Sequence, residues 1–309
     1  MMRGSPERPL AQAELPGACV STPYGTCLLF EVEVPLRLAL PSPMEAQARL
    51  SQALALVYGI GPAREAILTA RGYTIFDLVR HPLFGQHAAF WAEALAQRNL
   101  SRLGQGICRW YSASHPLLLY LVALAEESEL VFVDVESLGL STLPVFLVGM
   151  GRVRLSAGRL VVRQFLARDL SEEMAVLAQT LAELPPKPLV LGYNSKAHDW
   201  RQLQARLAYY GLGDLPDAAH LDLLFFVRRL WSAVLGDCSL SQVERRVLGR
   251  TRALDIPSEH VPLYYEAFLH TQQPRYILPI LAHNREDVVS AALLLGRVLE
   301  EHARGSFAA

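Results

Sequence analysis

Apolar residues recur along the chain with two different periods, and the change between them divides it. Residues 28–34 (LLFEVEV) alternate apolar with polar, so 27–35 is expected to be a half-buried strand. After Pro41 and Pro43, the apolar positions Ala48, Leu50, Ala53, Leu54 and Val57 fall at helical spacing and predict a helix over 44–58. Gly59 and Gly61 then make a tight turn. Pro62 suits the first turn of a second helix, Gly72 ends it, and a short third helix follows Thr74. Residues 85–127 read as helical, with loops near 104–106 and 112–116. From residue 129 the period shortens, and strands are expected at 130–133, 145–154 and 159–166. A helix over 171–184 follows, with Ser171 as its N-cap and Glu172 and Glu173 in its first turn. Prolines 185, 186 and 188 break the chain before a fourth strand at 189–192. Helices are then expected at 199–210, 221–231, 240–248, 261–271 and 275–302.

Three strands, a helix, a strand and then helices predict a mixed α/β domain over 128–303. It is preceded by a strand/loop region over 1–43, of which 1–17 is Pro/Gly-rich and expected loose, and by a helical domain over 44–127. The 309 residues suit one large unit with a smaller companion.

Composition narrows the class. Apolar residues make up 51% and charged residues 19%, the balance of a globular protein with a sizeable core. The apolar run at 116–125 is far short of the roughly 20 residues of a spanning helix. The first 17 residues carry charges and prolines where a signal peptide needs an apolar stretch. The expectation is a cytoplasmic protein with no membrane partner. The four cysteines form no CxxC pair, which disfavours a zinc site and a disulfide framework. A net charge of −1 supplies no global field for a polyanion, so nucleic acid would need a local patch or bound cations. Arg228, Arg229, Arg245, Arg246, Arg250 and Arg252 form either such a patch or an ordinary solvated face.

The sharpest local signal is VFVDVESLGL. Asp134 and Glu136 stand two apart at the end of an apolar strand and share one face. Two such carboxylates repel each other and lose hydration unless a cation neutralises them, or else the strand end is simply solvated. Further candidates follow downstream. GYNSKAHDW puts Asn194 five residues before Asp199, at the start of a helix. HLDLL holds Asp222, which either joins a site or caps the next helix. AHNREDVV puts His283 and Asp287 four apart on one helix face.

Taken in order, Asp-x-Glu on a strand, Asn-x4-Asp before a helix and His-x3-Asp on the last helix resemble the DEDD-type 3′→5′ exonucleases of the RNase H-like superfamily. Within that group the chain is most similar to the bacterial YprB-type repair exonuclease family. The stretches TPYGTC, HLDLLFFVRRLW and CSLSQVERRVLG extend the likeness over roughly 17–302. His198 stands where proofreading nucleases carry an aromatic, and His-x3-Asp has the spacing of the tyrosine subclass. The resemblance implies an RNase H-like mixed sheet flanked by helices and a 3′→5′ exonuclease acting on DNA in repair beside a helicase. It also implies two divalent cations, Mg²⁺ or Mn²⁺, held by Asp134, Glu136, Asp199 and Asp287. Asp134 would bridge the pair, His283 would orient or deprotonate water, and Asn194 would touch substrate. Four carboxylates suit such hard cations. An RNA exonuclease and a non-catalytic DNA-binding adaptor for a helicase are the alternatives.

GIGPAREAILTARGY, within 57–80, resembles a helix-hairpin-helix unit. There Gly59, Gly61 and Arg64 would meet a phosphate through backbone N–H groups and charge, independent of base sequence. A compact packing module with no nucleic-acid contact is the other reading.

Overall fold

The computed structural model describes residues 15–139, 142–252 and 256–307. The chain opens with a hairpin of β1 (Ala18–Thr22) and β2 (Gly25–Pro35). Six helices follow: α1 (Pro43–Ser51), α2 (Pro62–Ala70), α3 (Ile75–Leu78), α4 (Gly85–Ala96), α5 (Leu100–Trp110) and α6 (Leu117–Leu124). Next come β3 (Leu130–Ser137), β4 (Val145–Arg154), β5 (Arg159–Leu166), α7 (Glu173–Glu183), β6 (Leu189–Gly192), α8 (Asp199–Tyr210) and β7 (Ala219–Asp222). The chain finishes with α9 (Leu223–Leu235), α10 (Leu240–Val243), α11 (Val261–Thr271) and the 30-residue α12 (Pro274–Ala303).

The strands form one sheet in the order β1-β2-β5-β4-β3-β6-β7. From β1 to β3 neighbours run antiparallel, while β3, β6 and β7 run parallel. This is the mixed sheet with flanking helices that the sequence predicts. The segment 1–43, expected as a region of its own, contributes β1 and β2 to this same sheet. β2 pairs with β5 from Leu28↔Leu166 to Pro35↔Arg159. Its alternating pattern leaves an apolar face that only the larger sheet can complete.

Alternation along β3 decides which face carries chemistry. Val131 and Val133 turn into a core shared with Leu177 of α7, Leu203 of α8 and Tyr265 of α11. Leu130 and Phe132 turn into the other core, with Val288, Ala292 and Leu295 of α12 and the helices of 43–124. Successive side chains alternate faces, so Asp134 and Glu136 continue the Phe132 face towards α12. α12 lies across β3, β4 and β5, while α5 packs against β7 and α1 against α6. The N-terminal helices are thus docked on the sheet through one continuous core. Among the described residues no helix is long and apolar enough to cross a membrane.

Several local expectations are corrected. The helix expected over 44–58 stops at Ser51, and a 3-10 turn, Leu54–Leu56, follows. Leu54, Leu56 and Val57 are all buried, which one face of an α-helix does not allow for i and i+2 neighbours. The loop expected near 104–106 lies inside α5. A Cβ at Gly106 would stand 2.3 Å from the Trp91 ring, and one at Gly104 3.3 Å from Leu121, so these glycines permit close helix packing. Ser171 is not the N-cap of α7. It sits in a 3-10 turn capped by Asp169, whose side chain accepts from Ser171 N at 2.8 Å. The expected helix over 240–248 is α10 followed by a π-helical turn, Glu244–Leu248. β1 and β7 were not anticipated.

Candidate active site

The parallel strands β3, β6 and β7 end on one side, where open α/β sheets bind their ligands. β3 delivers Asp134 and Glu136 there. β6 runs into the loop 193–198, which bends at Asn194 (φ +60°) and feeds α8, whose first residue is Asp199. The Asp199 carboxylate accepts from Val135 N at 3.2 Å, locking α8 to β3 between the two acidic positions. α12 supplies Asp287 and His283, whose Nε2 lies 3.6 Å from Asp287 Oδ2. Five of the residues picked out in sequence therefore meet in one place.

Their electrostatics are those of crowded, buried acids. Burial raises Asp134 well above the ordinary carboxyl range, and Asp287, Glu136 and Asp199 raise it further, against one hydrogen bond from Asn284. Asp199 is also raised well above that range, by burial and then by Glu136. Burial pushes Glu136 up to about 7; His283 and Arg252 oppose this and Asp287 adds to it. Asp287 is raised by burial while His283 and Arg252 pull it down. Like charges in low dielectric cannot all ionise without a counter-charge.

Sequence reading missed the groups that hold these acids. Asn284 Nδ2 donates to Asp134 Oδ2 at 2.7 Å and to Asp134 O at 3.1 Å, and its own Oδ1 accepts from Gln164 Nε2 at 2.8 Å. Gly149 on β4 makes room: a Cβ there would lie 2.3 Å from Asn284 Oδ1. Arg252, 7% exposed, bonds Asp287 Oδ1 and clasps Glu244, at 2.6 Å for Nη2 to Oε1. Glu244 sits on the π-helical turn, a local widening common at functional sites. Arg252 Nη1 faces His283 Nδ1 at 3.3 Å. Guanidinium only donates, so in the neutral imidazole Nδ1 is the acceptor and Nε2 bears the proton, near Ser258 Oγ at 3.3 Å and Asp287. Two signals were present in sequence: Asn284 adjoins His283, and Glu244 opens the Arg-rich stretch.

A cleft of about 400 Å³ opens beside the acids, lined by Asp134, Asp287, Asn194, Arg228 and Ser258 among others. Arg229 turns away from it, to Phe307 O at 3.1 Å. Arg250 bonds Glu286 at 2.9 Å, so the cationic stretch is partly consumed internally. Asp222 caps α9 by accepting from Leu224 N at 3.1 Å, and the same oxygen accepts from Asn194 N at 2.8 Å, which fixes the loop. Gly59, Gly61 and Arg64 do not line the cleft. Gly59 has φ +87° and Gly61 caps α2, while Arg64 Nη1 folds back onto Gly59 O at 2.5 Å.

By donor chemistry the site fits divalent cations: four oxygen-bearing carboxyls, buried, with their mutual repulsion only partly offset. As they stand, the described residues include no ready-made set of three His, Cys, Asp or Glu ligands, and Asp287 is bonded to Arg252, so holding an ion requires the carboxyls to draw together and Asp287 to leave Arg252.

A mixed sheet with acids on β3, α8 and the last helix defines an RNase H-like protein. A family model described as RNase H superfamily matches residues 131–299, and the chain belongs to that superfamily, whose members generally hydrolyse nucleic acids. Among individual proteins, the chain is 32% identical over 225 residues to the uncharacterized protein YprB of Bacillus subtilis (strain 168). That match covers 71% of this chain and 51% of YprB, so the chain spans about half the length of this curated relative.

Proposed function

We propose that the protein is a metal-dependent 3′→5′ exonuclease that hydrolyses DNA phosphodiesters, acting in repair beside a helicase. The observation that carries the hydrolytic reading is the meeting of Asp134, Glu136, Asp199 and Asp287 in one buried site open to a cleft. Polarity, repair and the helicase rest on the resemblance to the YprB-type exonucleases. Asp134, Glu136, Asp199 and Asp287 would hold two divalent cations, Mg²⁺ or Mn²⁺. When bound, these supply charge neutralisation and an activated water. Asn284 keeps the Asp134 carboxylate aimed at the site, and Val135 N does the same for Asp199. His283 presents Nε2–H, which suits it to orient a water oxygen; to take a proton, it needs Nδ1 released by Arg252. Arg228, at the cleft wall, would meet a phosphate.

The Asp287–Arg252 pair favours one rival, a non-catalytic adaptor that binds DNA without cutting it. End-labelled single-stranded and duplex DNA and RNA, incubated with Mg²⁺, Mn²⁺ or EDTA, separate these readings. The expected result is mononucleotides released from DNA 3′ ends with metal and none with EDTA or with Asp134→Ala. No cleavage of any substrate under any condition sinks the nuclease reading, and cleavage of RNA alone sinks the DNA assignment.

A further inference from the structure

A second pocket, of about 350 Å³, shares the loop 193–198 with the acidic cleft: Tyr193 and Asn194 line the cleft, Lys196 and Ala197 the pocket. Its walls come from α5 (Cys108), the loop (Lys196), α8 (Arg201), β7 (His220) and α9 (Phe225). Two exposed cations invite an anion: Lys196 and Arg201 form no ion pair or side-chain hydrogen bond among the described residues. His220, also in the lining, has its Nε2 buried with no hydrogen-bond partner. The one acid in the lining, Asp222, gives Oδ1 to Asn194 N and Leu224 N and also feels the Lys196 charge, with which an anion would compete.

The pocket is also tied to the site. Lys196 follows Asn194 by two residues, so their backbones lie within about 7 Å. Asp222, in the lining of this pocket, accepts from Asn194 N, while Asn194 lines the acidic cleft. A strand with its end in the cleft can therefore cross the loop and set a phosphate against Lys196.

We propose that this pocket is a phosphate subsite, in which Lys196 and Arg201 hold a phosphodiester of the nucleic-acid strand whose end occupies the acidic cleft. The inference rests on the nucleic-acid reading above but not on cleavage. It makes the loop 193–198 a saddle: one side presents Asn194 to the reacting end, the other grips the strand behind it. Because the contacts are to phosphate, the grip is independent of base sequence.

Two cysteines give separate readouts. Cys238 lines the acidic cleft and Cys108 lines the second pocket. The full chain is treated with iodoacetamide in EDTA, with and without a single-stranded oligonucleotide of about ten nucleotides, and the modified peptides are quantified by mass spectrometry. The expected result is slower alkylation of both thiols when the oligonucleotide is present. With Lys196→Ala/Arg201→Ala, protection of Cys108 is lost while Cys238 stays protected. Binding of the fluorescent oligonucleotide weakens roughly tenfold, and the slope of log K against log salt falls by about 0.7, the value for one phosphate of a single strand. Inorganic phosphate and a mononucleotide serve as further probes, and protection of Cys108 by either alone would place a free anion there instead of a strand. Protection of Cys238 with Cys108 unaffected, or an unchanged salt slope in the double variant, overturns the proposal and leaves the nuclease reading standing. Failure to protect either thiol also overturns the proposal, and the cleavage assay with metal decides the nuclease reading independently.

Discussion

Replacing Glu136 with glutamine is expected to stabilise the protein in EDTA at alkaline pH, although it removes a site residue. Folding lifts this carboxyl from 4.5 to about 7, chiefly by burial. A group that holds its proton more tightly when folded contributes stability that is complete below the unfolded value and is lost as pH rises through the folded one. For Glu136 that window runs from 4.5 to about 7. At about 1.4 kcal/mol per pH unit, the loss is about 3 kcal/mol by pH 8. This is a ceiling, because Asp134, Asp199 and Asp287 share the same repulsion and part of the relief is theirs. Glutamine keeps the shape and removes the charge. Urea or thermal unfolding in EDTA should therefore show Glu136→Gln more stable than the parent by up to about 3 kcal/mol near pH 8, roughly 6–12 °C in Tm. Near pH 4 the two should coincide. Saturating Mn²⁺ should narrow or reverse the gap, since a cation that binds only the folded form stabilises it and the parent binds better. Equal stability at both pH values, or a glutamine variant weaker than the parent near pH 8, would refute the claim that these acids strain the fold.

Other consequences follow from single contacts. Gly149→Ala places a methyl 2.3 Å from Asn284 Oδ1 and should displace the amide that aims Asp134. A loss of about 1–3 kcal/mol in urea unfolding, together with loss of DNA cleavage, is expected. Arg252→Met leaves Glu244, 3% exposed, without its counter-ion, at a cost of about 3–5 kcal/mol. Arg252→Met/Glu244→Leu should regain most of that, and a double variant no more stable than the single would contradict the pairing. Asp222→Ala removes the α9 cap and frees Asn194 N; a loss of about 1 kcal/mol is expected for the cap, whereas Asp222→Asn should lose less. Gly106→Ala drives a methyl into Trp91 and should lower the free energy of unfolding by about 1–3 kcal/mol without changing the affinity for DNA.

Much of the frame is readable from local pattern. The alternation in β3, the strands β4 to β6 and the helices α8, α11 and α12 follow from side-chain periodicity within about ten residues. So does the sharing of a face by Asp134 and Glu136, and by His283 and Asp287. Their order along the chain is enough to suggest one site. The misreadings share a cause. Gly104 and Gly106 look like a loop because their use is to admit Trp91 and Leu121, partners that lie outside the local window. β1 is short and β7 is interrupted by the polar His220, so neither repeats often enough to show a period.

What only tertiary structure decides is which groups hold the acids. Asn284 meets Asp134 across 150 residues, and Arg252 reaches Asp287 across 35. A hydrogen bond or buried ion pair is a demand for a partner, and the chain can meet it from any distance once the backbone has closed. Periodicity records which way a residue faces but not what it faces. The sequence by itself therefore determined the acidic face of β3 and the helix that would cover it. The tertiary structure decided that Asn284 and Val135 N aim two of the acids and that Arg252 competes for a third. It also turned Arg229 to Phe307 O and put Asn194 and Lys196 of one loop into the linings of different pockets.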